Sequence, residues 1–222
     1  MGDVNALILF LVIGVLPIFV REFRNSARIT LAYWFVVGLH QGVAFTNTFL
    51  FTTLGAAGDS QTYHTEATKI GQALDLNIHC CDSVGRIYSF FEGLLGTFYW
   101  IFGSSQLLGS QLSILMFAVS CIVLVKIVDL LELSHYRVSI LLVFGSLPSM
   151  VLLGSVTLRE PYQISFFMLA VYFGLKMMTE KNIRVYGVFM VLSILVMGLF
   201  HNGLMGYGIL LTGLFMLWNP HP

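Results

Sequence analysis

The sequence predicts an all-α fold: a polytopic membrane helix bundle of about seven transmembrane helices, with an amphipathic interfacial helix in a large outer loop. Three observations predict it. Hydrophobic residues make up 57% of the chain, charged residues only 10%, and the mean hydropathy is +0.87, values that make lipid the main solvent. Several apolar runs reach the roughly 20 helical residues needed to cross a hydrocarbon core about 30 Å thick. Basic residues between those runs alternate from side to side, the asymmetry that sets orientation in a membrane.

The expected spans run Val4–Val20, Ile29–Phe51, Leu107–Leu131, Val138–Val156, Tyr162–Met178, Val185–Phe200 and Leu204–Trp218. In the first, positive charge follows the apolar run and no small-residue cleavage site appears, so it is expected to stay attached. Arg21, Arg24 and Arg28 lie between spans one and two; Lys126 and Arg137 flank the turn after span three; Lys176, Lys181 and Arg184 flank the turn after span five. That puts eight of the eleven basic residues on one side and leaves Lys69, Arg86 and Arg159 on the other. The expected topology has the amino terminus and the 52–106 loop outside. No linker or convincing repeat divides the chain, so residues 1–222 read as one transmembrane domain. A net charge of zero gives no electrostatic footprint for nucleic acid.

Within the loop, "RIYSFFEGLLGTFYWIF" sets Ile87, Phe90, Phe91, Leu94, Leu95, Phe98 and Ile101 at helical spacing, opposite Arg86, Ser89, Glu92 and Thr97. That pattern suits a helix in the membrane interface, with Tyr99 and Trp100 near headgroup level. Upstream, "GDSQTYHTEA" opens with a turn signal and continues as a helix in which Asp59, Tyr63, Glu66 and Ile70 share a face. The spacing also suits Asp59 or Ser60 as a simple helix cap. Arg159 and Glu160 sit at the outer end of span four, where charge at membrane depth is either mutually neutralised or part of a site. Pro161 fits the first turn of the following helix. His201 and Asn202, in "FHNGL", fall between spans six and seven, a turn that again faces outward. Asp59, Arg159, Glu160 and His201 therefore share one side of the membrane by a topology derived without them.

The order of these motifs resembles the C-type membrane glycosyltransferases and the polysaccharide polymerases related to them. "GDSQTYHTEA", the aromatic stretch ending "YWIFGSS" and "LREPYQISFFML" carry the resemblance, with "FHNGL" closer to the polymerases. It covers roughly Gly58 to Gly203. It implies transfer of a sugar from a polyprenyl-phosphate-linked donor at the outer face of a bacterial inner membrane; a eukaryotic counterpart would face the endoplasmic reticulum lumen. It assigns Asp59 as the catalytic base, and Arg159 with Glu160 as the phosphate clamp. His201 is a looser match for phosphate or sugar, and Tyr63 and Glu66 complete the substrate-binding set. A guanidinium offers paired donors to phosphate oxygens, and a carboxylate can take the proton of an attacking hydroxyl.

Other residues carry less. Some members of that family use a divalent metal, but Asp59 has no acidic neighbour in sequence, so the cofactor stays undecided. His79, Cys80, Cys81 and Asp82 lack the two-to-four-residue separations of zinc ligands. His40 and Gln41 interrupt span two and are expected to face the bundle in an interhelical hydrogen bond, and Lys126 is expected to pair with Asp129 one turn on. A different class of function stays open: a noncatalytic subunit of a membrane complex, with partner membrane subunits, or a transporter or flippase component. At 222 residues the chain is short for the glycosyltransferase family, which favours a partner or further spans.

Overall fold

The computed structural model describes residues 1–52, 58–76, 89–180, 182–201 and 203–217. The described residues form helices joined by short turns, without strands. Helix α1 (Gly2–Phe19) leads through a single turn, α2 (Arg21–Arg24), into α3 (Ala27–Phe49). Two helices, α4 (Asp59–Asp75) and α5 (Phe90–Phe102), form the large loop. The chain then re-enters the bundle as α6 (Gln106–Leu130), α7 (Arg137–Ser146), α8 (Pro148–Gly154), α9 (Glu160–Thr179), α10 (Ile183–Phe200) and α11 (Gly203–Leu217).

Four of these, α1, α3, α6 and α10, are long and apolar enough to cross a membrane, and α7 with α8 would make a fifth if the bent pair is one span. Helix α9 has 20 residues, yet Glu160, Gln163 and Lys176 near its ends dilute its apolar character. Helix α11 is shorter, at 15 residues. The outward surface is apolar: Leu7, Leu11 and Ile18 on α1, Val188, Leu192 and Leu195 on α10, and Ile209 and Leu210 on α11 are all exposed. Apolar surface on this scale needs an apolar solvent, and the chain has the exterior of a membrane protein.

The sequence predicts one continuous span over Val138–Val156, whereas the structure bends it by 65° between Ser146 and Pro148. Proline lacks the N–H that would continue the ladder, and it steers the preceding Leu147 to an extended conformation, ψ 129°. The break is packed. A Cβ on Gly145 would lie 2.2 Å from Val36, and one on Gly154 would lie 2.8 Å from His40, so both glycines let α3 come close. The His40 ring stacks on Phe117 with centroids 3.9 Å apart, and its Nε2 lies 3.1 Å from the Met150 carbonyl on α8. Gln41 and Gln111 exchange two amide hydrogen bonds of 2.9 and 2.6 Å between α3 and α6. The polar residues of the second span thus tie helices together, as the sequence leads one to expect.

Contacts sort the helix ends into two groups. At one end the Asn5 amide donates to the Phe102 carbonyl at 2.7 Å, Ser105 bonds Asp3, and Ser113 Oγ lies 3.3 Å from the Leu158 carbonyl. At the other end Asp129 pairs with Arg137, and Glu180 binds both Lys176 and Tyr186. The expected partner of Asp129 was Lys126; the turn after α6 instead brings Arg137 back beside it. Most of the basic residues gather at this second end. Helix α5 runs across the first end: Phe90 and Phe91 meet Phe200, while Phe102 and Gly103 meet the start of α1. Gly103, at φ +86°, turns the chain there, and its backbone touches Gly2 too closely for a side chain on either.

Candidate functional site

The start of α4 is set by Gly58, whose φ of +86° is left-handed and whose carbonyl accepts from the Thr62 N–H at 3.0 Å. Asp59 follows as the first helical residue and is exposed at the rim. One turn on, Tyr63 lies edge-on to Phe91, with ring centroids 5.0 Å apart, and the Arg159 guanidinium stands 6.0 Å from the Tyr63 centroid. The Tyr63 hydroxyl is raised above its ordinary pKa, chiefly by burial; Arg159 opposes the shift, and Glu160, Asp59 and Glu92 reinforce it. One guanidinium and three carboxylates therefore lie near enough to the phenol to act on it by charge, with Arg159 the one placed against its ring.

Arg159 caps the N-terminus of α9, with Pro161 in the first turn. Its Nε lies 3.9 Å from Glu160 Oε1, an ion-pair contact too long for a hydrogen bond. Arg159 Nε, Glu160 Oε2 and Gln163 Nε2 are all shielded from solvent with no hydrogen-bond partner among the described residues. Buried polar atoms in folded proteins are normally satisfied, so this corner has donors and an acceptor to spare.

Arg159 also walls a cavity of about 410 Å³, together with Ser89, His201 and Gly203. Helices α5, α9 and α11 begin at this cavity and α10 ends there. Three positive helix ends against one negative favour an anion, although α5 spends its own N-terminus on a capping box in which Glu92 accepts from the Ser89 N–H at 2.6 Å. Phe200, packed within 5.2 Å of both Phe90 and Tyr162 by ring centroid, anchors the end of α10 and so fixes where His201 emerges. His201 is exposed, and its Nδ1 accepts from the Gly203 N–H at 3.1 Å. The site is therefore two-sided, with carboxylates about Tyr63, cationic and hydrogen-bonding groups about the cavity, and Arg159 as the shared wall.

Asp59, Glu160 and Arg159 act on Tyr63, and His201 joins Arg159 through the cavity; Glu66 pairs along its own helix. Its carboxylate takes the Lys69 ammonium at 2.9 Å, one turn along the same helix. Tyr99 also departs from expectation: it is buried, its hydroxyl 2.9 Å from His64 Nδ1, instead of standing at headgroup level. Phe91, Leu95 and Tyr99 form the buried face of α5, while Phe90 and Ile101 remain exposed. His64, whose pKa burial lowers, Glu92 and Gln163 are the neighbours that spacing did not single out. Among the described residues no three His, Cys, Asp or Glu side chains gather to hold a metal. The His79–Asp82 cluster, Arg86, Asn202 and Trp218 lie outside the described residues. Compared with protein-family models, with curated proteins and with solved structures, the chain matches none.

Proposed function

We propose that the chain is a membrane glycosyltransferase or polysaccharide polymerase that transfers a sugar from a polyprenyl-phosphate-linked donor at the outer face of a bacterial inner membrane. In this reading seven helical segments cross the lipid, the bent α7–α8 pair counting as one, and α5 lies in the interface. The amino terminus and the α4–α5 loop face outward. The observation that carries the reading is the two-sided site around Arg159: carboxylates on one flank and an anion-suited cavity on the other.

Sugar transfer needs both flanks. The oxygen of an acceptor hydroxyl attacks the anomeric carbon, the bond from that carbon to the phosphate oxygen breaks, and the hydroxyl proton passes to a carboxylate. Asp59, exposed at the rim, takes that proton. The leaving phosphate gathers negative charge, which the Arg159 guanidinium meets with directional donors and His201 meets from across the cavity. Glu160 orients Arg159, and Tyr63 supports it from below and offers its hydroxyl to the acceptor. The carrier tail stays in lipid beside the apolar helices, so the protein need enclose only the head.

The test is sugar transfer by purified protein in lipid, supplied with polyprenyl-phosphate-linked sugars. Asp59→Asn is expected to lose transfer by about a hundredfold or more, within the range of general-base contributions, while retaining carrier binding. Full turnover by that variant would refute the assignment. A transporter reading draws on the broken α7–α8 pair, since transporter sites often use discontinuous helices. Here Val36 and His40 fill the space at the break, which favours a structural kink.

A further inference from the structure

A second cavity, of about 220 Å³, lies between the later halves of α4 and α5 and is lined by Thr68, Gln72, Asp75, Tyr99, Trp100 and Ser104. Its chemistry differs from that of the cavities along the bundle. The hollow between α1, α5 and α6 is lined by Ile8, Leu9, Val12, Phe98 and Leu112, and the one between α1 and α3 by Phe10, Leu11 and Trp34, side chains that suit hydrocarbon. The α4–α5 cavity instead combines a half-exposed indole with a carboxylate, an amide and two hydroxyls.

We propose that this cavity is a saccharide subsite apart from the transfer centre, with Trp100 as the stacking surface and Asp75 and Gln72 as the hydroxyl-reading groups. The proposal rests on the transferase reading for the sugar's being part of a substrate. A pyranose presents an apolar face of C–H groups and a rim of hydroxyls, so it needs an aromatic surface beside fixed donors and acceptors. Thr68, Gln72 and Asp75 follow at i, i+4 and i+7 and therefore line one side of α4. The Thr68 hydroxyl already donates to the His64 carbonyl at 2.8 Å, which leaves its oxygen to accept. Asp75 and Gln72 are exposed, and Asp75 accepts while the Gln72 amide both donates and accepts, a pairing that matches adjacent hydroxyls.

The backbone keeps this arrangement rigid. A Cβ on Gly71 would stand 3.2 Å from the Gly96 carbonyl and 3.3 Å from the Trp100 nitrogen, so α4 and α5 touch at the cavity floor. The cavity is smaller than the about 300–1,000 Å³ typical of drug-sized ligands, which fits one sugar ring. Asp59 lies twelve residues before Gly71 on the same helix, about 18 Å at 1.5 Å per residue, and Thr68, Gln72 and Asp75 fall on the opposite side of α4 from Asp59 and Tyr63, so the cavity holds a sugar apart from the transfer centre.

The experiment uses full-length protein in lipid nanodiscs with Trp34→Phe and Trp218→Phe, leaving Trp100 as the reporter. Glucose, galactose, mannose, N-acetylglucosamine and their disaccharides are titrated through the millimolar range. The expected result is a saturable change in Trp100 emission with at least one of them. Asp75→Asn and Gln72→Leu are expected to weaken it at least about tenfold, whereas Asp59→Asn and Arg159→Lys leave it intact. No saturable change with any sugar, in protein whose transfer still depends on Asp59, overturns the subsite and spares the transferase reading. Sugar binding at Trp100 in protein whose transfer is indifferent to Asp59 and Arg159 upholds the subsite and removes its catalytic context.

Discussion

Arg159 reaches Tyr63 on one side and the His201 cavity on the other, so its geometry matters as much as its charge. Lysine would keep the charge and lose the planar fork. Arg159→Lys is therefore expected to weaken binding of a polyprenyl-phosphate carrier about tenfold, in keeping with about 1.5–3 kcal/mol for hydrogen bonds to charged groups; a binding isotherm in nanodiscs checks this, and unchanged affinity counts against the clamp. His64 makes a separate prediction. Burial lowers its pKa from the usual 6.5, so the unfolded chain binds the proton more readily than the folded one. The stability that neutral His64 contributes is complete above 6.5 and declines as pH falls through that value toward the lowered one. Thermal unfolding in detergent should show a lower midpoint at pH 5 than at pH 7.5, with His64→Gln reducing that slope. At this scale much of the site was legible in sequence, because a glycine turn exposes Asp59, a helix start fixes Arg159 and a helix end presents His201. The Glu66–Lys69 pair, three residues apart on one helix, was legible from the spacing as well. The His64–Tyr99 bond joins residues 35 apart and leaves no local pattern.

Among the elements, α4 and α5 are the pair on which the site depends. Their close contact is made by Gly96, where a Cβ would fall 2.6 Å from Ile70 Cγ2 and 3.1 Å from the Ala67 carbonyl. Gly96→Leu should push the helices apart at a cost of about 1–3 kcal/mol and raise proteolysis within α4, measured as cleavage rate in native conditions. Gln41 and Gln111 predict a different signature. Gln41→Leu leaves a buried amide without its reciprocal partner and should cost about 1–2 kcal/mol, while Gln41→Leu with Gln111→Leu should recover most of it; unfolding of the single and double variants measures the coupling. The helices themselves were legible from hydropathy and from signals such as Ser89 and Glu92, which form the capping box at the start of α5. The face that α5 buries was not. It is apolar almost all round, so hydrophobic spacing alone could not choose between the Phe90–Ile101 and Phe91–Tyr99 sides; the close glycine contact with α4 and the His64 bond decide it. Proline at position 148 was visible, but the size of the bend follows from the room that Gly145 and Gly154 give α3.

For the molecule as a whole, the alternation of basic residues corresponds to two groups of helix ends. Lys126, Arg137, Lys176 and Arg184 lie toward the end away from α4 and α5. If that end is cytoplasmic, an impermeant thiol reagent added outside intact cells should label a single cysteine introduced at the exposed position Gln61→Cys and spare one introduced as Asn182→Cys in a background lacking the native cysteines. The reverse pattern would invert the orientation and separate Asp59 from an extracytoplasmic donor. The most direct measurement is an experimental structure of the protein in lipid with a bound polyprenyl phosphate. The account predicts phosphate density within hydrogen-bond distance of Arg159, about 2.7–3.2 Å, in the cavity shared with His201, with Asp59 facing the same space. Phosphate bound elsewhere, or Asp59 directed away from it, would contradict the account.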